Sequence, residues 1–357
     1  MLDSMPLALY AAEHWIGHAK SGGVGPTVLQ LMLHLFTSGS APFKNWIQMY
    51  DIDAGRYGSY GKPVMGFATS TVYYSSLAGM QELLGCLLHK GENANAKGGR
   101  FGNPLQAASF EGYEAIVKLL LENGAEVNAK GGEYGNALQA AAASYQVNDA
   151  IVKLLLENGA DVNAKGGMYV NALQAAALAA SYPSQGNVAI VKLLLENGAD
   201  INAEAGEYGN ALQAVSSSGN EAIAKLLLEN GAEVNAKGGE YVNALYTASF
   251  RGSNEAIVKL LLKNWAEVNA KGGEYGNALQ AALIGDNKER WFSSKDNEEI
   301  VHFARYPFHA LSTNSSSTRP PSRPPRCSPN WHICLEKIPG NLLGKVIDNI
   351  DWNWIGV

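Results

Sequence analysis

The chain has 357 residues, 46% of them hydrophobic and 17% charged, with a formal net charge of −6. That apolar share can fill two or three compact cores or one elongated array, while the acidic balance argues against a nucleic-acid partner, which needs Lys and Arg gathered on one surface. Cys86, Cys327 and Cys334 are too few and too scattered for a disulfide framework and suit a reducing compartment; no apolar run approaches the roughly 20 residues of a membrane span.

Residues 1–62 form a first region, with helices expected over Leu7–Ile16, Val28–Phe36 and Phe43–Tyr50. No charged stretch followed by a long apolar core opens the chain, so no secretory signal is expected. His14 and His18 are four apart on the first helix, but Trp15 stands where a His-Glu-x-x-His zinc motif needs Glu, so they read as exposed or packing residues. Gly58–Pro63 resembles a phosphate loop only superficially. The spacing is wrong, and Pro63 occupies the place of the magnesium-binding Ser or Thr.

From residue 63 to 290 the chain repeats itself. Asn-Ala-Lys, once Asn-Ala-Glu, begins at Asn95, Asn128, Asn163, Asn202, Asn235 and Asn269, at intervals of 33, 35, 39, 33 and 34 residues. A second marker, Asn-Ala-Leu-Gln and its variants, begins at Asn103, Asn136, Asn171, Asn210, Asn243 and Asn277, with the same intervals. Two markers that keep step through two insertions define a structural unit. Each unit carries a small-residue first helix, as from Asn136, and a second helix such as Ala150–Glu157, with Ile151, Leu154 and Leu155 expected on its buried face. Gly159 sits where a left-handed helix stop is wanted. Neither helix is long enough to stand alone in water, so the core must come from stacking neighbours.

The array starts with a degenerate unit over Ser70–Gly79 and Leu83–His89. The extra residues around Tyr145–Asn148 and Ser181–Gly186 fall between the two helices of their units, where they can bulge as loops. Gly-Gly pairs such as Gly131-Gly132 recur once per unit and serve a positive-φ turn at the tip of each connecting finger. Past Gly285 the pattern fails. Asp296–Val301 hints at a displaced second helix, and residues 291–357 form an irregular, Pro- and Ser-rich tail expected to be disordered. Cys327, His332 and Cys334 lack the paired spacing of a zinc knuckle, and Pro321–Arg326 matches a polyproline ligand pattern common in such tails.

Leu-Leu-Leu-Glu-Asn-Gly-Ala-Asp-Val-Asn-Ala, at a 33-residue spacing, resembles the ankyrin repeat over residues 66 to 285. The resemblance implies an all-α solenoid of helix–turn–helix units with β-hairpin-like fingers and a concave face. The family's Thr-Pro-Leu-His is replaced here by Asn-Pro-Leu-Gln at Asn103 and by Asn-Ala-Leu-Gln or close variants elsewhere. Asn and Gln still offer hydrogen bonds, but loss of the Pro should leave helix starts less rigidly set. Pro6–Trp15 and Trp46–Asp51 are similar to the helical segment before the repeats in fungal NACHT–ankyrin proteins, receptors of the NOD-like type in which a nucleotide switch precedes the array. The missing phosphate loop means that nucleotide hydrolysis is not carried over.

No Ser–His–Asp or Cys–His set can be assembled, and the histidines lie outside the regular units. The expected function is therefore non-catalytic: recognition of a protein inside the cell, in the cytoplasm before the nucleus. No cofactor, metal, nucleic acid, membrane or small-molecule substrate is expected. The resemblance places contacts on the finger tips and the exposed side of the first helices. An aromatic ladder recurs at the finger, at Phe101, Tyr134, Tyr169, Tyr208, Tyr241 and Tyr275; these rings suit a partner surface, and equally suit stapling one finger to the next. Positions after the first-helix alanines vary between units and supply Phe110, Glu111, Leu178, Phe250 and Arg251 as candidate contacts.

Overall fold

The computed structural model describes residues 6–21, 24–49, 52–55, 70–144, 146, 148–179, 186–204, 206–240, 242–251, 255–274 and 276–284. Tyr241, Tyr275, the Asp296–Val301 segment, the Cys327–Cys334 set and the whole of the tail lie outside them. The described residues are helical throughout. The N-terminal region holds α1 (Pro6–Ser21), α2 (Pro26–Leu35), α3 (Ala41–Met49) and α4 (Ile52–Gly55). Helix pairs follow: α5 (Thr71–Leu77) with α6 (Gln81–His89), α7 (Pro104–Glu111) with α8 (Glu114–Glu122), and α9 (Ala137–Ala143) with α10 (Asp149–Glu157). Next come α11 (Ala172–Ala179) with α12 (Gly186–Glu196), α13 (Ala211–Ser218) with α14 (Glu221–Glu229), and α15 (Ala244–Arg251) with α16 (Glu255–Lys263). The last described helix is α17 (Ala278–Ile284).

First helices stack on first helices, and second helices on second helices. The first-helix contact is made by small side chains, Ala140 and Ala141 in α9 against Ala175 and Ala176 in α11, all fully buried. In the second helix the buried stripe is Ile151, Val152 and Leu155, with Leu154 half-buried. The expected stripe is thus rotated by part of a turn, because the helix is wedged between its own first helix and the two neighbouring second helices.

Helix starts that lack the proline are capped by side chains. In every described unit the Asn of the second marker caps the first helix, its side-chain oxygen accepting the backbone N–H three residues on. The distance is 2.9 Å for Asn103 and Gln106, 2.8 Å for Asn136 and Gln139, and 2.8 Å for Asn243 and Tyr246. An Asn cap satisfies an orphan donor that an unbonded proline start would leave to solvent.

The Gln that replaces the family's His reaches into the following unit. Gln139 Nε2 donates to the carbonyls of Ala164, at 3.1 Å, and Val170, at 2.8 Å, in the next finger. Gln174 does the same to Gly209, at 2.8 Å. The Asn of the first marker makes a second bridge: Asn128 Nδ2 donates to Gly159 O, while Asn128 Oδ1 accepts from Asp161 N, both at 2.9 Å. The same pair of bonds recurs at Asn95, Asn163, Asn202 and Asn235.

The fingers form no sheet among the described residues. Each of three closes with a single antiparallel bridge, Gly98 to Gly102, Gly131 to Gly135 and Gly166 to Val170. Backbone bonds then tie finger to finger, Glu133 N to Arg100 O at 2.8 Å, Met168 N to Glu133 O at 2.9 Å and Glu240 N to Glu207 O at 2.7 Å. The second glycine of each pair is needed twice over. Gly167 has φ +64, and a Cβ there would lie 2.2 Å from the Tyr134 carbonyl carbon of the preceding finger.

At the N-terminal end the degenerate unit is closed off by α1 to α4. Trp15, Phe36, Phe43 and Trp46 form a ring cluster that meets Tyr74 of α5, with Phe43 to Tyr74 at 5.8 Å and near-perpendicular. The Trp46 indole donates to Ala12 O at 3.0 Å, joining α3 to α1. Asp53 of α4 is buried and accepts both the Tyr73 hydroxyl, at 2.9 Å, and the Arg100 N–H, at 2.6 Å. Burial, and next the Asp53 charge, push the Tyr73 phenol far above its ordinary value, so it stays a donor.

The insertion after α9 also bonds to its neighbour. Ser144 donates to Phe110 O at 2.6 Å and Asn148 to Ser109 O at 3.1 Å, satisfying carbonyls near the end of α7.

Candidate functional site

Each finger tip is built from a glycine pair (Ala205-Gly206 in one unit), one variable residue and one aromatic ring. The aromatic rings pack along the array. Phe101 and Tyr134 are stacked, with centroids 5.6 Å apart and planes inclined by 10°, and Tyr134 lies 6.0 Å from Tyr169. Phe101 is 1% exposed and Tyr134 4%, while Tyr169 and Tyr208 are half-buried. At the start of the ladder the rings therefore staple finger to finger, and accessible aromatic surface begins at Tyr169.

Phe110 departs from its expected half-exposed position. It is 5% exposed, with its ring 5.0 Å from Phe101 and 4.8 Å from Tyr134. The last turn of α7 folds back under the finger, so a residue placed after the alanines lands beneath the ring ladder. Phe110→Ala should then lower stability by about 1.5–3 kcal/mol, the worth of burying a Phe ring; chemical denaturation monitored by circular dichroism reads it directly. Glu111 is also buried. Leu178 and Phe250 are half-buried on the corresponding edge of α11 and α15. Arg251 ends α15, and its side chain lies outside the described residues, as do Tyr241 and Tyr275.

The variable tip position had no place among the expected contacts. It is Arg100, Glu133, Met168, Glu207, Glu240 and Glu274 in successive units. Arg100 Nε pairs with Glu133 Oε2 at 2.8 Å, and its guanidinium sits 5.3 Å over the Phe101 ring. Glu207, Glu240 and Glu274 are exposed. Met168 is 54% exposed and breaks the acidic column with an apolar side chain. Two residues on, Val170 replaces the usual finger glycine and holds φ +65, a conformation costly for a β-branched residue. Val242 repeats this exchange at φ +66, whereas Met168 is the one apolar residue of its column, which a column-by-column comparison of the units exposes.

Among the described residues no group of three or more His, Cys, Asp or Glu side chains could hold a metal, and no helix is long and apolar enough to cross a membrane. His14 and His18 flank the Tyr10 ring on exposed α1, with centroids 4.4 and 6.4 Å away.

The family model for ankyrin repeats in three copies matches over residues 71–166, 141–238 and 173–272, together more than half of the 357 residues. The chain belongs to the ankyrin-repeat family. The human ASB11 ankyrin repeat domain superposes with a TM-score of 0.54 over 65% of this chain and 97% of that domain, at 24% identity, which speaks for the fold alone. A curated relative, the azaphilone pigments biosynthesis cluster protein L of Monascus ruber, is 36% identical over 122 residues. That match spans 30% of this chain and a quarter of the relative's length. Ankyrin-repeat arrays are generally non-catalytic scaffolds that bind proteins, and membership makes this chain a protein–protein interaction module.

Proposed function

We propose that this ankyrin-repeat chain recognises its protein partner along the finger tips and the adjoining edge of the first helices, with the finger of residues 166–170 as the anchor. The exposed Met168, standing where neighbouring units carry charge, supports this reading most directly. Side chains that shed water on contact carry most interface energy, and an exposed thioether whose counterparts in the two adjacent units are Glu133 and Glu207 offers an apolar centre between polar positions. Tyr169, Tyr208, Leu178 and Phe250 are its half-buried further contact residues, Arg251, Tyr241 and Tyr275 are candidates from the sequence, and Phe101, Tyr134, Phe110 and Glu111 are buried.

The role is non-catalytic recognition inside the cell, in the cytoplasm, in the service of sensing. The likeness of Pro6–Trp15 and Trp46–Asp51 to the segment before the repeats of fungal NACHT–ankyrin receptors supports that, as does the packing of α1 to α4 against the first unit. In a second reading the chain is the ligand-sensing part of such a receptor, with the nucleotide switch encoded elsewhere. A phosphate loop in the same transcript, upstream of the array, is the observation that would favour it.

A photo-crosslinking amino acid placed at Glu207 in the full chain, expressed in its own cells, tests the anchor. The crosslinked partner should fall about tenfold on Met168→Glu, corresponding to about 1.4 kcal/mol of lost binding, with no change in melting temperature. An undiminished crosslink would remove this finger from the interface.

A further inference from the structure

Each second helix ends at a left-handed residue, and in the full units before the last it is Gly124, Gly159, Gly198 and Gly231, with φ between +80 and +92. A Cβ added to any of these four would meet nothing within 4 Å. Glycine is therefore kept there for its backbone freedom alone, and a side chain would simply project into open space. At the end of α16 the same position is Trp265, with φ +67 and 59% of its surface exposed. Its backbone is held as in the other units, its carbonyl accepting from Asn235 Nδ2 at 3.0 Å.

This tryptophan takes on the left-handed penalty of a bulky residue and leaves its ring largely in water. Among the described residues, folding and packing account for neither feature. Backbone strain that yields no burial points to a contact made outside the fold.

A second change accompanies it. The residue two places earlier is Glu122, Glu157, Glu196 and Glu229 in the preceding units and Lys263 here. Those units carry two carboxylates at this corner, as with Glu229 and Glu233, whereas the α16 corner carries Lys263 and Glu267. Lys263 is exposed and has no ion-pair partner among the described residues, while Lys259 pairs back to Glu255 at 2.6 Å. At other corners the second-helix carboxylate is answered by a lysine four residues earlier, as Glu229 by Lys225 at 3.9 Å; this corner instead presents an exposed aromatic ring two residues from a cation with no ion-pair partner among the described residues.

We infer that the Trp265–Lys263 corner is a second docking point, which takes a protein segment bearing a carboxylate next to an apolar or aromatic side chain. The ring supplies the desolvated contact and Lys263 sets the sign of the charge it accepts. An anionic membrane would suit the corner by itself, but the exposed carboxylates of Glu126, Asp161, Asp200 and Glu233 at the corresponding corners would repel such a surface. The inference does not depend on the finger-tip reading, since Met168 lies on the fingers and Trp265 at a second-helix end.

The test uses the full chain and short synthetic peptides carrying Asp or Glu beside Phe or Leu, with Lys-for-acid versions as controls, titrated by calorimetry. The acidic peptides should bind, the controls should not, and both Trp265→Gly and Lys263→Glu should weaken binding about tenfold or more. Trp265→Gly should melt no lower than the parent, because glycine relieves the backbone, and Met168→Glu should leave peptide binding unchanged. A lower melting temperature for Trp265→Gly would make the ring a structural element and overturn the inference. Peptide binding indifferent to Trp265→Gly, or absent altogether, would also overturn it, as would Trp265-dependent capture by phosphatidylserine vesicles in place of the peptides.

Discussion

Leu155→Ala should cost about 2–5 kcal/mol. The side chain is fully buried in α10, between the first helix of its own unit and the second helices on either side. A solenoid has no distant core to compensate, because each unit contacts only its neighbours. The cavity should thus weaken two junctions at once, and unfolding should lose its single cooperative step and split at this point. Denaturant titration followed by circular dichroism reads the loss, and hydrogen exchange across α8, α10 and α12 reads its location. A uniform loss of protection along the whole array would show that the units are coupled more tightly than nearest neighbours.

Phe101→Ala should be of similar size, about 3–5 kcal/mol, although the residue lies in a finger. Its ring is 1% exposed, stacked on Tyr134 and tilted against Phe110, and it underlies the Arg100 guanidinium. Removing it deprives two other rings of their partner, each worth about 0.5–1.5 kcal/mol beyond area alone. The expected signature is loss of near-ultraviolet circular dichroism from the ring stack together with a lower denaturation midpoint. Phe101→Leu, which refills volume without a π face, should recover most of the midpoint and little of that signal. A destabilisation within experimental error would return Phe101 to the surface and restore the ladder's first ring to the partner-contact set.

Most of the fold was legible because two independent markers kept the same spacing, and their residue types stated their work. Asn136 caps a helix, Asn128 bridges two units and Gly167 turns a corner too tight for any Cβ. Each of those roles is local or repeats at a fixed offset, so the sequence shows it. The face of a short helix is less legible: whether Leu154 or Val152 is buried depends on how far the helix is rotated against neighbours one unit away. Phe110 was misread for the same reason, since a position that varies between units can lie beneath a loop as easily as beside a partner. Where Ala stands in place of the family's Pro, the Asn before it still caps the helix start, as at Asn136. At the candidate site the uniform ladder drew attention, whereas the informative residues were Met168 and Trp265, each an exception within its own column.

The paired bonds made by Asn95, Asn128, Asn163, Asn202 and Asn235 have a consequence for how such a gene can change. Each Asn meets the same backbone atoms of the unit that follows, whichever unit that is. A copy gained or lost by unequal recombination within the repeats would therefore find compatible partners on both sides, and the array could change length in a single genetic event. What would not be conserved is position: Met168 and Trp265 would be carried apart or together by about one unit's thickness. Recombination in this array would thus retune the separation of these two exceptional residues while the asparagine bridges find partners at each new junction.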